Sequence, residues 1–193
     1  MTEEVKETAR KYDRQERYTY TDYAAWDTED RYELIDGVAY MMSAPTATHQ
    51  RILGKLYRQL ANYLVGKTCE VFLAPFDVCL NARGDDDDTV VQPDLLVICD
   101  KTILDDKRCN GAPDMIIEII SPSSSRRDRI VKMNKYLSAG VREYWIVDPE
   151  FKSVNRHILE SGKYVVSAYE DNETVSVNVL EGCVISLPEV FAG

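Results

Sequence analysis

Two apolar runs constrain this chain more than any other feature. Val90-Val91-Gln92-Pro93-Asp94-Leu95-Leu96-Val97-Ile98 and Ala112-Pro113-Asp114-Met115-Ile116-Ile117-Glu118-Ile119-Ile120 each read as a buried strand. Each carries a carboxylate where the pattern calls for Val or Ile: Asp94 in the first run and Glu118 in the second. A buried charge is costly unless it is paired or binds a metal. Asp94 and Glu118 therefore need a partner: a divalent cation is the first candidate, and the plain alternatives are a strand-end carboxylate capping a turn after Pro93 for Asp94 and a buried ion pair for Glu118.

What surrounds the runs fixes the fold class. Residues 1–18 are a charged tail without periodicity, and Thr21-Asp22-Tyr23-Ala24-Ala25-Trp26 is a short capped helix. Residues 32–41 form a hairpin, because Asp36-Gly37 is a strong two-residue turn signal. A helix follows, capped by Thr46 or Thr48, with Ile52, Leu53, Leu56, Leu60, Tyr63 and Leu64 at helical spacing and Gly66 at its stop. A strand pair is expected over residues 70–80, then a solvated loop at Asp85 to Asp88, then the two carboxylate-bearing strands. The four aspartates lack the spacing of a calcium loop.

Ser125 caps the second helix, with Asp128 three residues on as its partner, and Gly140 ends it. Residues 141–147 make the next strand, closed by Asp148-Pro149. Residues 151–193 alternate apolar and polar side chains, with turns at Ser161-Gly162 and Asp171-Asn172, and His157 is expected on the surface of a strand. The expected architecture is α/β: a core of helix, three strands, helix and strand, with an N-terminal hairpin and a C-terminal β-rich extension. The core spans residues 19–150 and the extension 151–193, within one domain.

Composition narrows the function. At 193 residues with 45% hydrophobic side chains the chain can bury a sizeable core. No run approaches a membrane span and the N-terminus lacks the order of a signal peptide, so the expectation is a cytoplasmic protein without a membrane partner. The five cysteines (Cys69, Cys79, Cys99, Cys109 and Cys183) fit no zinc spacing and are expected to be reduced. A net charge of -10 argues against non-specific nucleic-acid binding through a basic face. It leaves room for a metal-dependent reaction on a polyanion, or for contact through a local basic patch.

The order of these motifs resembles the PD-(D/E)XK nuclease superfamily, and within it the restriction-endonuclease family called Uma-two. The resemblance rests on Tyr32-Glu33-Leu34-Ile35-Asp36-Gly37, His49, Gln92-Pro93-Asp94, Pro113-Asp114 through Glu118, and Ser121-Pro122-Ser123. It continues through Asp128, Lys132 and Tyr136 to residues 140–149, and it covers residues 19–170. It implies hydrolysis of nucleic-acid phosphodiesters, DNA foremost, with Mg²⁺ or Mn²⁺ held by Asp94 and Glu118. Mg²⁺ takes one or two carboxylates plus waters and phosphate oxygens, and strands about 4.8 Å apart can each contribute one. The resemblance also implies an auxiliary acid, for which Glu33 is the candidate with an exposed strand glutamate as the equal alternative, and a homodimer matching duplex symmetry. Asp114 reads as a strand entrance.

One position departs from the superfamily pattern. The lysine expected two residues after the acid is Ile120, and the resemblance relocates it to Lys132 on the following helix. Ordinary helical geometry puts Asp128, Lys132 and Lys135 on one side and Ile130, Met133 and Leu137 on the core-facing side. An exposed ion pair of Asp128 with Lys132 is the bland alternative, and Lys135 is the spare candidate. His49, at a helix start, can touch a phosphate or a water, or be an ordinary helix-start residue. Arg126, Arg127, Arg129, Lys132 and Lys135 form either a phosphate-meeting patch or an offset to nearby acids. Against the nuclease stands a non-catalytic binding or assembly module that keeps the fold, favoured by Ile120 and the acidic charge.

Overall fold

A computed structural model describes residues 17–121 and 127–192. The N-terminal tail, the Ser125 cap and Arg126 lie outside the described residues, as do the side chains of Arg127 and Asp128. The frame is a mixed six-stranded sheet built from β3 (Glu70–Leu73), β6 (Leu95–Ile98), β8 (Met115–Ile119), β9 (Glu143–Asp148), β10 (Ser153–Glu160) and β11 (Lys163–Glu170). Its order is β11-β10-β9-β8-β6-β3. Only β8 and β9 run parallel, and such a pair needs a long crossover. A helix supplies it: a π-helical turn, Arg127–Lys132, runs into α3 (Met133–Ala139). Gly140 closes the helix at φ 90, as its stop signal predicts.

The earlier helices are α1 (Tyr20–Ala24) and α2 (Ala47–Leu64). The start of α1 differs slightly from expectation: Thr19 precedes it and donates its N–H to Asp22 at 2.8 Å. On α2 the Thr46 hydroxyl accepts the His49 N–H, and the expected apolar stripe is buried except at Tyr63, which is partly exposed. That stripe packs on one face of the sheet with Leu95, Val97, Ile117 and Ile119. The same core takes in β12 (Thr174–Ser176), β13 (Val184–Ser186) and a short helix, α4 (Leu187–Phe191), which the alternating pattern of the extension did not announce. On the other face Leu96, Ile116, Ile120, Tyr144 and Ile146 pack with Tyr136 of α3.

A second sheet, order β2-β1-β5-β4-β7, consists of β1 (Tyr32–Ile35), β2 (Val38–Met41), β4 (Asp77–Cys79), β5 (Val90–Val91) and β7 (Arg108–Asn110). The hairpin turn is as read, with Asp36 at φ 53 and Gly37 at φ 75. A Cβ on Gly37 would lie 2.7 Å from that of Arg17, so glycine is required there on two counts.

Several expectations are corrected. Residues 70–80 do form two strands, but β3 and β4 belong to different sheets. The run at 90–98 is likewise two strands, β5 and β6. Pro93 has no N–H and the Gln92 N–H goes to Glu33 Oε1 at 2.9 Å, so neither can continue the ladder. The helix presents a different face from the one expected. Lys132 is 2% exposed and faces the sheet with Tyr136, whereas Ile130 is 53% exposed. The π turn closes its hydrogen bonds over five residues rather than four, which shifts the face relative to a regular helix.

The remaining corrections concern single side chains. His157 is buried, because β10 lies between β9 and β11 and its ring packs against Tyr144 and Tyr164. Asp87 is not solvated; it is fully buried and accepts the backbone N–H groups of Asn81, Arg83 and Thr89, which organise the loop. The cysteines are not all reduced: Cys69 and Cys99 form a disulfide. The pairing of Glu70 with Ile98 sets the two cysteines opposite each other, with Cα atoms 4.0 Å apart. Cys79, Cys109 and Cys183 are free and buried.

Candidate active site

The two sheets, helix α2 and the π turn before α3 line a cavity of about 830 Å³. Glu33, His49, Asp94, Glu118 and Lys132 all line it. The antiparallel register of β6 on β8 pairs Leu95 with Ile117, so Asp94 enters its strand beside Glu118. Both carboxylates lie on the face that α3 covers, since strand side chains alternate and Leu96, Ile116 and Ile120 share that face's core.

Asp94 is held from two sides. Its Oδ2 accepts the Ile119 N–H at 2.8 Å and lies 3.0 Å from His49 Nε2. A carboxylate only accepts, so Nε2 carries the proton of this pair. His49 Nδ1 is buried with no hydrogen-bond partner among the described residues. The position of His49 follows from the Thr46 cap, which starts α2 three residues earlier.

Glu118 is held by the helix. Lys132 Nζ contacts Glu118 Oε1 and lies 2.8 Å from Glu33 Oε1, and Tyr136 donates its hydroxyl to Glu118 Oε1 at 2.6 Å. Burial, reinforced by the charges of Glu118 and Glu33, pushes the Tyr136 hydroxyl well above its ordinary pKa, so it remains a donor. Lys132 therefore reaches the acid from the helix and is buried, not exposed; the alternative pair with Asp128 falls on a side chain outside the described residues. Glu33 is buried rather than exposed. Lys135 does not belong to the site. It pairs with Asp36 at the hairpin turn and is not part of the cavity wall.

Asp114 sits at the entrance of β8, accepting the Cys99 N–H and pairing with Arg142. The described members of the basic segment are spent on acids of the fold: Arg129 on Asp148 at 2.6 Å, Lys132 on the two glutamates, Lys135 on Asp36. Three contributors carried no assigned role in the sequence reading. Tyr136 follows Lys132 at the i+4 spacing that shares a helix face, which was its available signal. Gln92 and Arg31 meet only through the tertiary fold, Arg31 donating to Gln92 Oε1 from Nε at 3.0 Å and Nη2 at 2.5 Å.

Among the described residues, no group of three His, Cys, Asp or Glu side chains can hold a metal ion unaided. Two carboxylates on the cavity wall match what Mg²⁺ ordinarily takes from a protein, and Asp94 Oδ1 accepts no hydrogen bond from a described residue. The donor set fits such an ion with water and phosphate oxygens as the remaining ligands.

Residues 20–188, most of the chain, match the family model Uma2, described as "Putative restriction endonuclease". The chain belongs to the Uma2 family. This Uma2 protein is similar in structure to a crystal structure from Anabaena variabilis described as a putative nuclease belonging to DUF820. The TM-score is 0.72 at 20% identity, over 90% of this chain and 97% of the other. The likeness places it in a nuclease-like α/β fold. An uncharacterized protein of Synechocystis is 22% identical over 177 residues, 89% of this chain and 90% of that protein. Among the described residues of this Uma2 protein, no helix is long and apolar enough to cross a membrane.

Proposed function

We propose that this protein is a metal-dependent endonuclease that hydrolyses phosphodiester bonds, with DNA as substrate. The observation that carries the reading is the convergence of Asp94, Glu118 and Lys132 in one cavity. Asp94 and Glu118 would hold Mg²⁺ or Mn²⁺. A bound ion supplies an acidified water and offsets charge developing on the phosphate. Lys132 orients the attacking water and adds positive charge beside the phosphoryl oxygens. Glu33 and Tyr136 fix the ammonium and the Glu118 carboxylate before substrate arrives, and His49 fixes the orientation of Asp94.

Cleavage of a DNA and RNA panel by purified protein with Mg²⁺ or Mn²⁺ tests this. Cutting lost in Asp94→Ala supports it; no cutting of any substrate, or cutting that survives Asp94→Ala, refutes it. The competing reading, a binding or assembly module, is favoured by the sharing of Lys132 between two glutamates and by the net charge of -10. Titration calorimetry separates the two. The enzyme requires Mn²⁺ binding that Glu118→Ala abolishes, and the module does not.

The same reading places the protein in the cytoplasm as a homodimer. One edge of the six-stranded sheet, β11, suits that role. Its two-residue turn, Ser161-Gly162, makes Glu160 and Lys163 a hydrogen-bonded pair. Tyr164, Val166, Ala168 and Glu170 then point their backbone groups outward, and the Glu170 N–H is taken by Glu173. Antiparallel pairing centred on Val166 uses the three that remain, and sets the Lys163 end of one strand against the Glu170 end of its mate.

A further inference from the structure

Three cations line the cavity: Arg31, Arg129 and Lys132. Arg129 is committed to Asp148, and Lys132 to Glu33 and Glu118. Arg31 makes no ion pair with any described residue. It is held instead by a neutral amide, with Nε and Nη2 both donating to Gln92 Oε1.

The amide cannot turn over. Gln92 Nε2 donates to Asp77 Oδ1 at 2.8 Å and to the Tyr23 hydroxyl oxygen at 2.9 Å, and the Gln92 backbone N–H is fixed on Glu33. Its oxygen is thus directed at Arg31 by three bonds from other elements. One edge of the guanidinium is docked, and the other edge, Nη1 with the second hydrogen of Nη2, makes no hydrogen bond to a described residue. A guanidinium carries five N–H donors in a fixed fork, and two parallel donors match two phosphate oxygens. Arg31 also precedes Glu33 by two residues, so the two share a strand face and Arg31 stands on the same wall as the residue that holds Lys132.

We propose that Arg31 binds a phosphate group of the substrate through its Nη1–Nη2 edge, and that Gln92 is its positioning residue. This rests on the nuclease reading for the identity of the substrate, but the phosphate site itself does not. In a chain of net charge -10 an arginine docked on a neutral amide, with only the through-space pull of Asp77 offsetting it, presents positive charge to an incoming polyanion.

Anisotropy of a labelled DNA duplex, with EDTA present, reads the affinity of the full chain as a function of salt. Losing one phosphate contact lowers the slope of log K against log salt by about 0.9, and Arg31→Gln is expected to show that loss while keeping the wild-type circular-dichroism spectrum at the assay temperature. Arg31→Lys keeps the charge without the fork and falls between the two. In cleavage assays Arg31→Gln raises KM more than it lowers kcat. Unchanged affinity and slope in Arg31→Gln overturn the proposal while leaving the nuclease reading intact. Should the wild type ignore DNA in EDTA, the cleavage panel still judges the nuclease reading, and titration with inorganic phosphate decides the phosphate site. Shifts of the Arg31 side-chain NMR signals, absent in Gln92→Leu, keep the phosphate site; unmoved signals reject it.

Discussion

Replacing Lys132 by Met tests the centre of the site. The side chains of Lys132, Glu33 and Glu118 are 3%, 3% and 6% exposed, so solvent screens their attraction very little. Methionine keeps the length of the side chain but leaves two buried carboxylates facing each other without a cation. Removing one partner of a buried pair costs about 3–5 kcal/mol. For a chain of this size each kcal/mol moves the midpoint by about 2–4 °C, so Lys132→Met should melt about 6–20 °C below the wild type. Urea denaturation followed by circular dichroism at neutral pH gives the free energy directly. The triple variant Glu33→Gln, Lys132→Met, Glu118→Gln removes the charges together and should recover at least half of the loss. A cost below about 1 kcal/mol for Lys132→Met, the value of an exposed pair, would refute the buried arrangement. A triple variant no more stable than the single one would refute the electrostatic cause.

Two further outcomes follow from the sheet. Burial holds the pKa of His157 below its ordinary 6.5, so the unfolded chain takes up the proton first. The stability contributed is complete above about pH 6.5 and is lost as pH falls towards the folded pKa, at no more than about 1.4 kcal/mol per pH unit; His157→Phe should lack that part of the slope in urea titrations, and an unchanged slope would show that His157 is not its source. At the β11 edge, Val166→Lys sets two ammonium groups opposite each other across the two-fold axis, and sedimentation should show a dimer become a monomer; a monomeric wild type, or a dimer that survives the substitution, would remove β11 from the assembly.

Elements whose signals are local were legible in the sequence. Asp36-Gly37 specified its turn, Thr46 and Gly140 delimited their helices, and the apolar stripe from Ile52 to Leu64 identified the face of α2 that packs on the sheet. Five of the six candidate site residues line one cavity because strand order and the capped helix start bring them there. What could not be read depends on partners distant in sequence. The apolar run at 90–98 changes sheets at Pro93, a local signal, but also because a glutamate 59 residues earlier takes the Gln92 N–H, which no local pattern announces. Cys69 and Cys99 become neighbours only through the register of β3 on β6. A surface alternation pattern also cannot announce that β10 is flanked on both sides, which is what buries His157.

The displaced lysine has a consequence for how the site is assembled. A lysine at position 120 would share a strand with Glu118, and one element would carry both groups. Here Ile120 fills that position and packs in the core with Tyr136, and the ammonium arrives from the helix through the π turn. Lys132 then joins three separately placed elements: Glu118 on the large sheet, Glu33 on the hairpin sheet, and the helix itself. Its geometry depends on how the two sheets dock, because Glu33 reaches the site only through that packing. The hairpin is thereby coupled to the proposed metal ligands through a single buried charge, and a change in β1 that moves Glu33 must be felt at Glu118.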